Sequence, residues 1–222
     1  MTLPTPPPYG NSGPPGPGVL PTGVPSVPYK PRSRKNYRVE HHSEHSLTPA
    51  EVERLLTAVT DPRDLALLTL AISTGMRRED IVAIELSGYD RAKGLITYYE
   101  KKKRKTRTTG IGPRAQQAIN LYLTSRDRES RWLFPAMVSA SRGHLSGRSA
   151  WNVLQYWLDQ VDLARRPFHS LRGTCYKLAK ARGWSVEQAA ALIGDTIRVA
   201  MEFYGVATAG EINELHREKP LL

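Results

Sequence analysis

The amino-acid composition changes near residue 46, and this change confines any packed core to the residues that follow. Residues 1–31 consist mostly of Pro, Gly, Ser, Thr and Val. Such a segment buries too little apolar surface to offset the entropy lost on ordering, which predicts a disordered or polyproline-like tail. Residues 30–38 are rich in Lys and Arg, as expected either for an arm that follows DNA or for a solubilising stretch. We therefore predict a tail over 1–45 and a single domain over 46–222, whose own C-terminal tail starts at about residue 209.

Helix start and stop signals divide this domain into segments. Thr48-Pro49-Ala50-Glu51 has the pattern of a capping box with proline in the first turn, and apolar residues then recur at helical spacing. Asp61-Pro62 predicts the start of a second, buried helix that ends at Gly75. A short helix is predicted next, reaching about Leu86. Further helices are predicted over 114–125, 149–161 and 171–182, from Ser185 to Gly194, and from the capping pair Asp195-Thr196 onward, the last with Ile197, Ala200, Met201 and Tyr204 on one face.

One part of the domain has the composition of β-strands. Residues 94–100 are rich in β-forming side chains, and residues 105–111 resemble a returning strand. The turn between them is Lys101-Lys102-Lys103-Arg104, so the predicted hairpin carries a concentrated positive charge at its tip. The expected fold class is therefore mainly α with a small antiparallel β-sheet (α+β).

The charge of the chain points to a polyanionic partner. Lys and Arg total 32 against 21 Asp and Glu, which gives a net charge of +11. Basic groups in such excess neutralise phosphates and release condensed counterions, so a polyanion is the expected partner. A merely basic surface and an anionic membrane are the alternatives. No apolar run approaches the roughly 20 residues that span a bilayer, and no signal peptide is recognised, so we expect no membrane partner.

Cysteine and histidine usage predicts neither a disulfide nor a metal site. Cys175 is the only cysteine, which excludes an internal disulfide and a cysteine-based zinc cluster and fits a reducing cytoplasm. The cluster at residues 41–45 contains three histidines, but it lies on the predicted tail without further ligands, so we interpret it as incidental.

Four short motifs, far apart in the sequence, contain groups suited to phosphodiester chemistry. Two arginines, Arg77 and Arg172, can form bidentate hydrogen bonds to one phosphate and neutralise charge in its transition state. His169 lies three residues before Arg172 and is suited to proton transfer. Tyr204 carries a hydroxyl able to form a covalent link to phosphorus, and a hairpin lysine can protonate a leaving oxygen. Taken singly, each residue has a more ordinary interpretation in packing or at the surface.

The order and spacing of these motifs resemble the tyrosine recombinase (phage integrase) family over about residues 46–208. Thr74-Gly75-Met76-Arg77 is similar to the motif of the family's first arginine, and Asp80 stands where an acidic residue braces that motif. His169-Ser170-Leu171-Arg172 resembles its His-x-x-Arg motif. Ala191-Leu192-Ile193-Gly194, followed by Tyr204, resembles its Leu-Gly-His…Tyr motif. The resemblance implies the catalytic-domain fold of that family, with Arg77, His169, Arg172 and Tyr204 as catalytic residues.

The resemblance also implies roles for the basic residues of the predicted hairpin. Lys102, Lys105 and Arg107 align with the family's Lys-x-x-Lys-x-Arg pattern, which implies Lys102 as the general acid. Lys101 and Lys103 compete for this role, because a register slip of one residue would exchange them. The DNA-binding residues expected on the hairpin are Lys101, Lys103, Arg104, Lys105 and Arg107.

Asp195 is the main departure from the family pattern. It takes the sixth position of the active site, where members usually carry a His or Trp that donates to the phosphate. An ionised carboxylate cannot donate and would repel a phosphate. We expect Asp195 to serve as the cap of the tyrosine helix; the alternative is a carboxyl held protonated. Gly173 also replaces a histidine that often follows the second arginine.

The implied function is a site-specific DNA recombinase or integrase of a virus, plasmid or other mobile element. It would act through a 3′-phosphotyrosyl intermediate without metal or other cofactor, as a tetramer on DNA. Only the tail precedes the catalytic domain, so we expect a partner to supply the core-binding domain, or the tail to substitute for it. Residues 211–219 are expected to dock on a neighbouring protomer. The alternatives are a recombinase-derived DNA-binding protein without catalysis and an unrelated basic helical regulator.

Overall fold

The computed structural model describes residues 45–136 and 143–205, with residues 213, 216 and 217 in addition. The predicted tail up to residue 44, its histidine cluster apart from His45, and most of the predicted C-terminal segment lie outside the described residues. The predicted fold class is confirmed, because the described part is mostly helical with one small antiparallel sheet. Its elements in chain order are α1 (Pro49–Ala58), α2 (Pro62–Thr74), α3 (Arg78–Ile81), a 3-10 turn (Leu86–Gly88), β1 (Tyr89–Asp90), β2 (Leu95–Glu100), β3 (Lys105–Gly110), α4 (Gly112–Ser125), α5 (Gly147–Gln160), α6 (Ser170–Ala181), α7 (Val186–Ile193) and α8 (Ile197–Tyr204).

The predicted capping signals form as local hydrogen bonds. Thr48 Oγ1 accepts from the backbone N–H of Glu51, and Glu51 Oε2 accepts from the backbone N–H of Thr48 over 2.7 Å. Ser185 and Gln188 form the same reciprocal pair at the start of α7. These bonds satisfy N–H groups that have no intrahelical partner, so both predicted capping boxes are confirmed.

Helix α2 is the central element of the fold. Most of its residues are buried, and it packs against α4 and α6. It ends at Gly75, whose φ of +60° is the left-handed conformation expected of a helix-terminating glycine. The end of α2 therefore places the first predicted motif next to α6, which carries the motif of the second arginine.

The third helix is shorter than predicted. It ends at Ile81, and Leu86 lies instead in the 3-10 turn. The reason is tertiary: the Ile84 carbonyl accepts from Leu133 N–H over 2.8 Å, and Leu86 N–H donates to the Arg131 carbonyl over 2.7 Å. These non-local bonds hold residues 84–86 extended, and such pairing leaves no short-range signal in the sequence.

The predicted hairpin is confirmed and has one additional strand, β1. The sheet order is β1-β2-β3, and Glu100 pairs with Lys105 across the hairpin, so residues 101–104 form its tip. Alternation along β2 buries Ile96, Tyr98 and Glu100 on the inner face. Glu100 is thus a carboxylate on an otherwise apolar strand face.

A small satellite cluster anchors the tyrosine helix. It contains mainly small residues of α6 and α7 packed around Ala200 and Tyr204 of α8. Of the four residues predicted on one face of α8, Ala200 and Tyr204 are buried, whereas Ile197 and Met201 are 43% and 53% exposed. Both lie at the edge of the helical stripe, and the contact with α6 and α7 is centred on the side of Ala200 and Tyr204.

The described residues contain no helix with the length and apolar character needed to cross a bilayer. Within the same ranges, no group of three or more His, Cys, Asp or Glu side chains is arranged to hold a metal ion.

Candidate active site

Arg172 lies in the first turn of α6, where its side chain is only 2% exposed. Its Nη1 donates to the carbonyl oxygen of Gly75 over 2.7 Å, which joins the two arginine motifs directly. Burial acts to lower the pKa of Arg172, but the negative charge of Asp195 and the interaction with Tyr204 more than offset this and raise that pKa above its ordinary value. Arg172 is therefore a fixed, permanently charged group in the interior of the site.

Arg77 is the N-cap residue of α3 and points into the same site. Its Nη1 donates to Oε1 of the buried Glu100, and its Nη2 donates to Oδ1 of Asp195 over 3.2 Å. The side chain remains 19% exposed, so this guanidinium lies at the edge of the site and Arg172 lies deeper. The two predicted arginines thus converge, with carboxylates on both sides of Arg77.

Asp195 lies between the two guanidiniums. Its Oδ1 is 3.2 Å from Nη2 of Arg77 and its Oδ2 is 2.6 Å from Nη2 of Arg172. The prediction that Asp195 is the cap of the tyrosine helix is wrong, because Thr196 is the N-cap residue and its Oγ1 accepts from Val199 N–H over 3.3 Å. Two nearby cations attract the carboxylate, and the hydroxyl of the next residue meets the capping requirement.

His169 and Tyr204 form a hydrogen-bonded pair. The phenol oxygen of Tyr204 lies 2.9 Å from Nε2 of His169, although 35 positions separate the residues. Tyr204 is 4% exposed and packs against the ring of Tyr176. Burial raises the pKa of Tyr204, and the nearby charge of Arg172 opposes that shift. The phenol is therefore protonated near neutral pH, with a ring nitrogen placed to exchange its proton.

The lysines at the hairpin tip take different positions. The backbone N–H of Lys101 donates to Oδ1 of Asp80 over 3.1 Å, so the predicted brace ties the hairpin tip to α3. Burial raises the pKa of the Asp80 carboxyl, and this backbone hydrogen bond opposes the shift. Lys103 Nζ donates to the carbonyl of Gly194 and lies 4.0 Å from Oε1 of Glu100.

Lys102 lines a cavity beside the arginines. This cavity has a volume of about 550 Å³, and its other lining residues are Arg77, Arg78, Glu79, Asp80, Lys101, Trp151, Pro167, Phe168 and His169. Lys102 itself is exposed at the hairpin tip. It is therefore on the same concave surface as Arg77, one of the two predicted catalytic arginines, and His169.

The remaining basic residues of the hairpin divide into two groups. Arg104 and Lys105 are exposed, as a DNA contact requires. Arg107 is half-buried, and its Nη2 donates to the carbonyls of Ala191 and Leu192, the latter over 2.7 Å. A DNA contact by Arg107 stays a prediction. In the structure, its guanidinium caps the end of α7. Gly194 ends α7 with a φ of +72°, the left-handed conformation that favours glycine.

Glu100 is a member of the site that the sequence reasoning missed. It is 1% exposed, and its Oε2 is buried without a hydrogen-bond partner. The signal was the alternation of β2, which puts Glu100 in phase with Ile96 and Tyr98 on the buried face. A carboxylate at such a position needs a cation nearby, and Arg77 supplies it.

The chain resembles known proteins over most of its described length. The model of the phage integrase family matches residues 45–196. Tyrosine recombinase XerA of Pyrococcus furiosus is 24% identical over 190 residues, an alignment that covers 85% of this chain and 66% of that protein. The chain thus spans slightly less than two thirds of the length of this relative.

Two solved structures give the same result for the fold. The crystal structure of XerA recombinase superposes with a TM-score of 0.68 at 17% identity and covers 80% of this chain and 66% of that one. The Tn1549 transposon integrase, solved in complex with a circular intermediate DNA, gives a TM-score of 0.61 at 15% identity and covers 78% of this chain and 65% of that one. The fold is that of tyrosine recombinase catalytic domains.

The family match includes both arginines, the histidine and the hairpin lysines, and it ends eight positions before Tyr204. The described geometry brings that tyrosine to the histidine independently of the match. With a family model that covers more than half of its residues, this chain belongs to the phage integrase family of tyrosine recombinases.

Proposed function

We propose that the protein is a site-specific DNA recombinase or integrase of a virus or other mobile element that cleaves and rejoins DNA through a 3′-phosphotyrosyl intermediate. The observation that carries this proposal is the 2.9 Å contact between the phenol of Tyr204 and Nε2 of His169, beside the buried Arg172. A nucleophile, a proton acceptor and a phosphate-binding cation in one place are what phosphoryl transfer to a tyrosine requires.

The proposed reaction is a transesterification at a DNA phosphorus atom. Tyr204 Oη attacks a DNA phosphorus atom and gives its proton to His169 Nε2, while the bond from phosphorus to the 5′ oxygen breaks. Lys102 donates a proton to that 5′ oxygen, which leaves as a hydroxyl. Arg77 and Arg172 bind the non-bridging oxygens and offset the charge that develops on them. Attack by another strand's 5′ hydroxyl on the phosphotyrosine reverses the step, so the bond energy is retained without a cofactor.

The proposed partner is double-stranded DNA, bound by a tetramer of this chain. Its support is the net charge of +11, the exposed lysines and arginine at the hairpin tip, and the DNA complex of the Tn1549 integrase. The Tn1549 integrase also supports an origin in a mobile element, because its name describes a transposon enzyme. The predicted partner that supplies a core-binding domain stays part of this proposal.

The test is covalent trapping on nicked DNA. Each duplex in a pool of random sequences carries a single nick in one strand. When the chain cleaves that strand a few nucleotides upstream of the nick, the short fragment with the leaving 5′ hydroxyl diffuses away and the adduct cannot be religated. We expect the full chain to form a protein–DNA adduct that survives denaturation, and sequencing the trapped DNA identifies the preferred site. Tyr204→Phe should form none. Tyr176→Phe is the matched control, because that phenol is equally buried and its ring lies beside Tyr204.

The position of Asp195 favours one alternative, a recombinase-derived DNA-binding protein without catalysis. A carboxylate between the two arginines opposes a phosphate at the same place. This alternative predicts salt-dependent DNA binding with no adduct from the wild-type chain under any trapping condition. An adduct that persists undiminished in Tyr204→Phe would contradict both functions as argued from this site.

A further inference from the structure

The space between the guanidiniums of Arg77 and Arg172, here called the anion site, already contains an anion. We infer that Asp195 is an internal substitute for the scissile phosphate, a carboxylate that fills the anion site in the unbound protein and that an incoming phosphodiester displaces. This inference rests on the proposed function for the identity of the ligand. Competition between Asp195 and a phosphate for the two arginines can be measured without DNA cleavage.

The geometry of the carboxylate is that of a bridging oxyanion. Its two oxygens contact different arginines, at 3.2 Å for Arg77 and 2.6 Å for Arg172. Two non-bridging phosphate oxygens would make the same pair of contacts, because their separation is close to that of carboxylate oxygens. Asp195 and a phosphate therefore cannot occupy the anion site together.

A second observation shows that the carboxylate does not satisfy the site. Nε of Arg172 is buried without a hydrogen-bond acceptor, whereas Nη2 of the same guanidinium is paired with Oδ2 of Asp195 at 2.6 Å. A buried guanidinium donor without an acceptor is costly, particularly at a side chain that is 2% exposed. A tetrahedral phosphate has oxygens in more directions than a planar carboxylate, so it can reach the donor that Asp195 leaves unused.

The backbone at Asp195 permits the side chain to leave. Its N–H donates to the carbonyl of Ala190 over 3.0 Å and so completes the end of α7, while Thr196 caps α8. Neither bond uses the carboxylate. The side chain is 11% exposed, which gives it a route toward solvent by rotation about its own bonds. Displacement by a phosphate therefore requires no unfolding of either helix.

The charges explain why displacement is necessary. Arg77 and Arg172 face two carboxylates, Asp195 and Glu100, so the pair is already neutralised. A phosphodiester added to this set would give three anions around two arginines, with Lys103 4.0 Å from Glu100 as a further cation. Glu100 is 1% exposed and held on a strand, whereas Asp195 lies on a loop. Asp195 is consequently the carboxylate that exchanges.

The experiment measures binding of inorganic phosphate by the thermal stability of the full chain. Asp195→Asn removes the negative charge and preserves the shape of the side chain. Without phosphate, this variant should unfold at a lower temperature than the wild type, because Arg172 loses its counter-charge. Added phosphate should raise the unfolding temperature of the variant much more than that of the wild type, corresponding to a Kd at least about tenfold lower.

Three comparisons make this result specific. Asp127→Asn changes the net charge equally at an exposed position and should respond to phosphate like the wild type. Arg77→Gln in the Asp195→Asn background should abolish the gain, because the anion site then lacks one arginine. If Asp195→Asn folds too poorly for the measurement, Asp195→Ala replaces it, because alanine removes the carboxylate without adding a hydrogen-bond donor for phosphate.

The outcomes separate this inference from the proposed function. Equal phosphate dependence in the wild type, Asp195→Asn and Asp127→Asn would overturn the inference, whatever the nicked-duplex assay gives. A selective gain in Asp195→Asn that requires Arg77 supports it, even if no adduct forms with DNA. If phosphate stabilises Asp195→Asn selectively but no covalent adduct forms with nicked DNA, the recombinase reaction is rejected. Asp195 then remains the occupant of the anion site.

Discussion

Nη1 of Arg172 donates a hydrogen bond to the carbonyl oxygen of Gly75 over 2.7 Å, across 97 positions of sequence. This bond joins the glycine that ends α2 to the arginine in the first turn of α6. Gly75 has a φ of +60°, and a Cβ added there would lie 2.7 Å from Cγ2 of Ile193 and 3.3 Å from Cβ of Cys175. The orientation of the buried arginine therefore depends on a backbone conformation and a close contact that favour glycine.

Gly75→Ala should destabilise the protein by about 2–4 kcal/mol, as the sum of left-handed backbone strain and overpacking against α6 and α7. The measurement is urea unfolding at equilibrium. Gly183→Ala is the matched control, because Gly183 has a φ of +82° with no atom within 4 Å of the added Cβ. It should cost only the strain, about 1 kcal/mol. Equal losses in the two variants would remove the argument that α6 and α7 contact Gly75 closely.

The buried phenol of Tyr204 predicts a specific pH dependence of stability. Near pH 8, Tyr204→Phe should lose about 1 kcal/mol, because the hydrogen bond to His169 disappears. Burial raises the pKa of Tyr204 in the folded state, so its stabilising contribution is complete below the unfolded pKa of about 10 and declines as pH rises toward the folded pKa. Between the unfolded and the folded pKa, the free energy of unfolding of the wild type should therefore fall, relative to that of Tyr204→Phe, by about 1.4 kcal/mol per pH unit.

Urea midpoints of the wild type and Tyr204→Phe at pH 8 and at about pH 11 test this prediction. Tyr99→Phe serves as the control, since that phenol is on a side chain 55% exposed and is solvated in both states. Its difference from the wild type should be the same at both pH values. A Tyr204→Phe difference that also stays constant would mean that the phenol is accessible to solvent in the folded protein.

The sequence predicts those parts of this fold that depend on neighbouring residues. The starts at Thr48 and Ser185 and the stops at Gly75 and Gly194 are recognisable, because each cap joins atoms only a few positions apart. The early end of α3 is not recognisable in this way. It results from hydrogen bonds between residues 84–86 and 131–133, and nothing local indicates that pairing.

The same distinction applies to the candidate site. Motif spacing predicts which side chains contribute, and the structure brings Arg77, His169, Arg172 and Tyr204 together. Motif spacing does not predict what each side chain contacts, because the partners of Arg77 are 23 and 118 positions away. The capping interpretation of Asp195 used the adjacent helix start alone. It failed because attraction by two distant arginines determines the orientation of that carboxylate.

Arg107 stabilises the loop before the tyrosine helix, so its replacement should affect stability. Arg107→Lys preserves the charge but cannot reproduce two donations from one planar group to the carbonyls of Ala191 and Leu192. We expect a loss of about 1.5–3 kcal/mol in urea unfolding, as for hydrogen bonds that involve a charged group. Arg104→Lys, at the exposed hairpin tip, should be neutral within about 0.5 kcal/mol. Neutral behaviour of both variants would assign Arg107 to the surface.

The position of the hairpin lysines predicts which one protonates the leaving 5′ oxygen in the proposed reaction. Lys101 is tied through its backbone to Asp80, and the ammonium of Lys103 contacts the carbonyl of Gly194. Lys101 and Lys102 both line the cavity that Arg77 and His169 share, and the family pattern assigns the role to Lys102. Lys102→Ala should therefore slow cleavage by about 10²–10⁴-fold, the usual contribution of a general acid.

A change of leaving group separates this role from a role in binding. The site found by covalent trapping is synthesised with sulfur in place of the 5′ bridging oxygen at the scissile position. A thiolate leaves without a proton because thiols are much stronger acids than alcohols, so this substrate should restore the cleavage rate of Lys102→Ala to near that of the wild type. Lys101→Ala and Lys103→Ala are the matched controls, and sulfur should give them no selective gain. Selective rescue of either control instead would shift the hairpin register by one residue and transfer the general acid to that lysine.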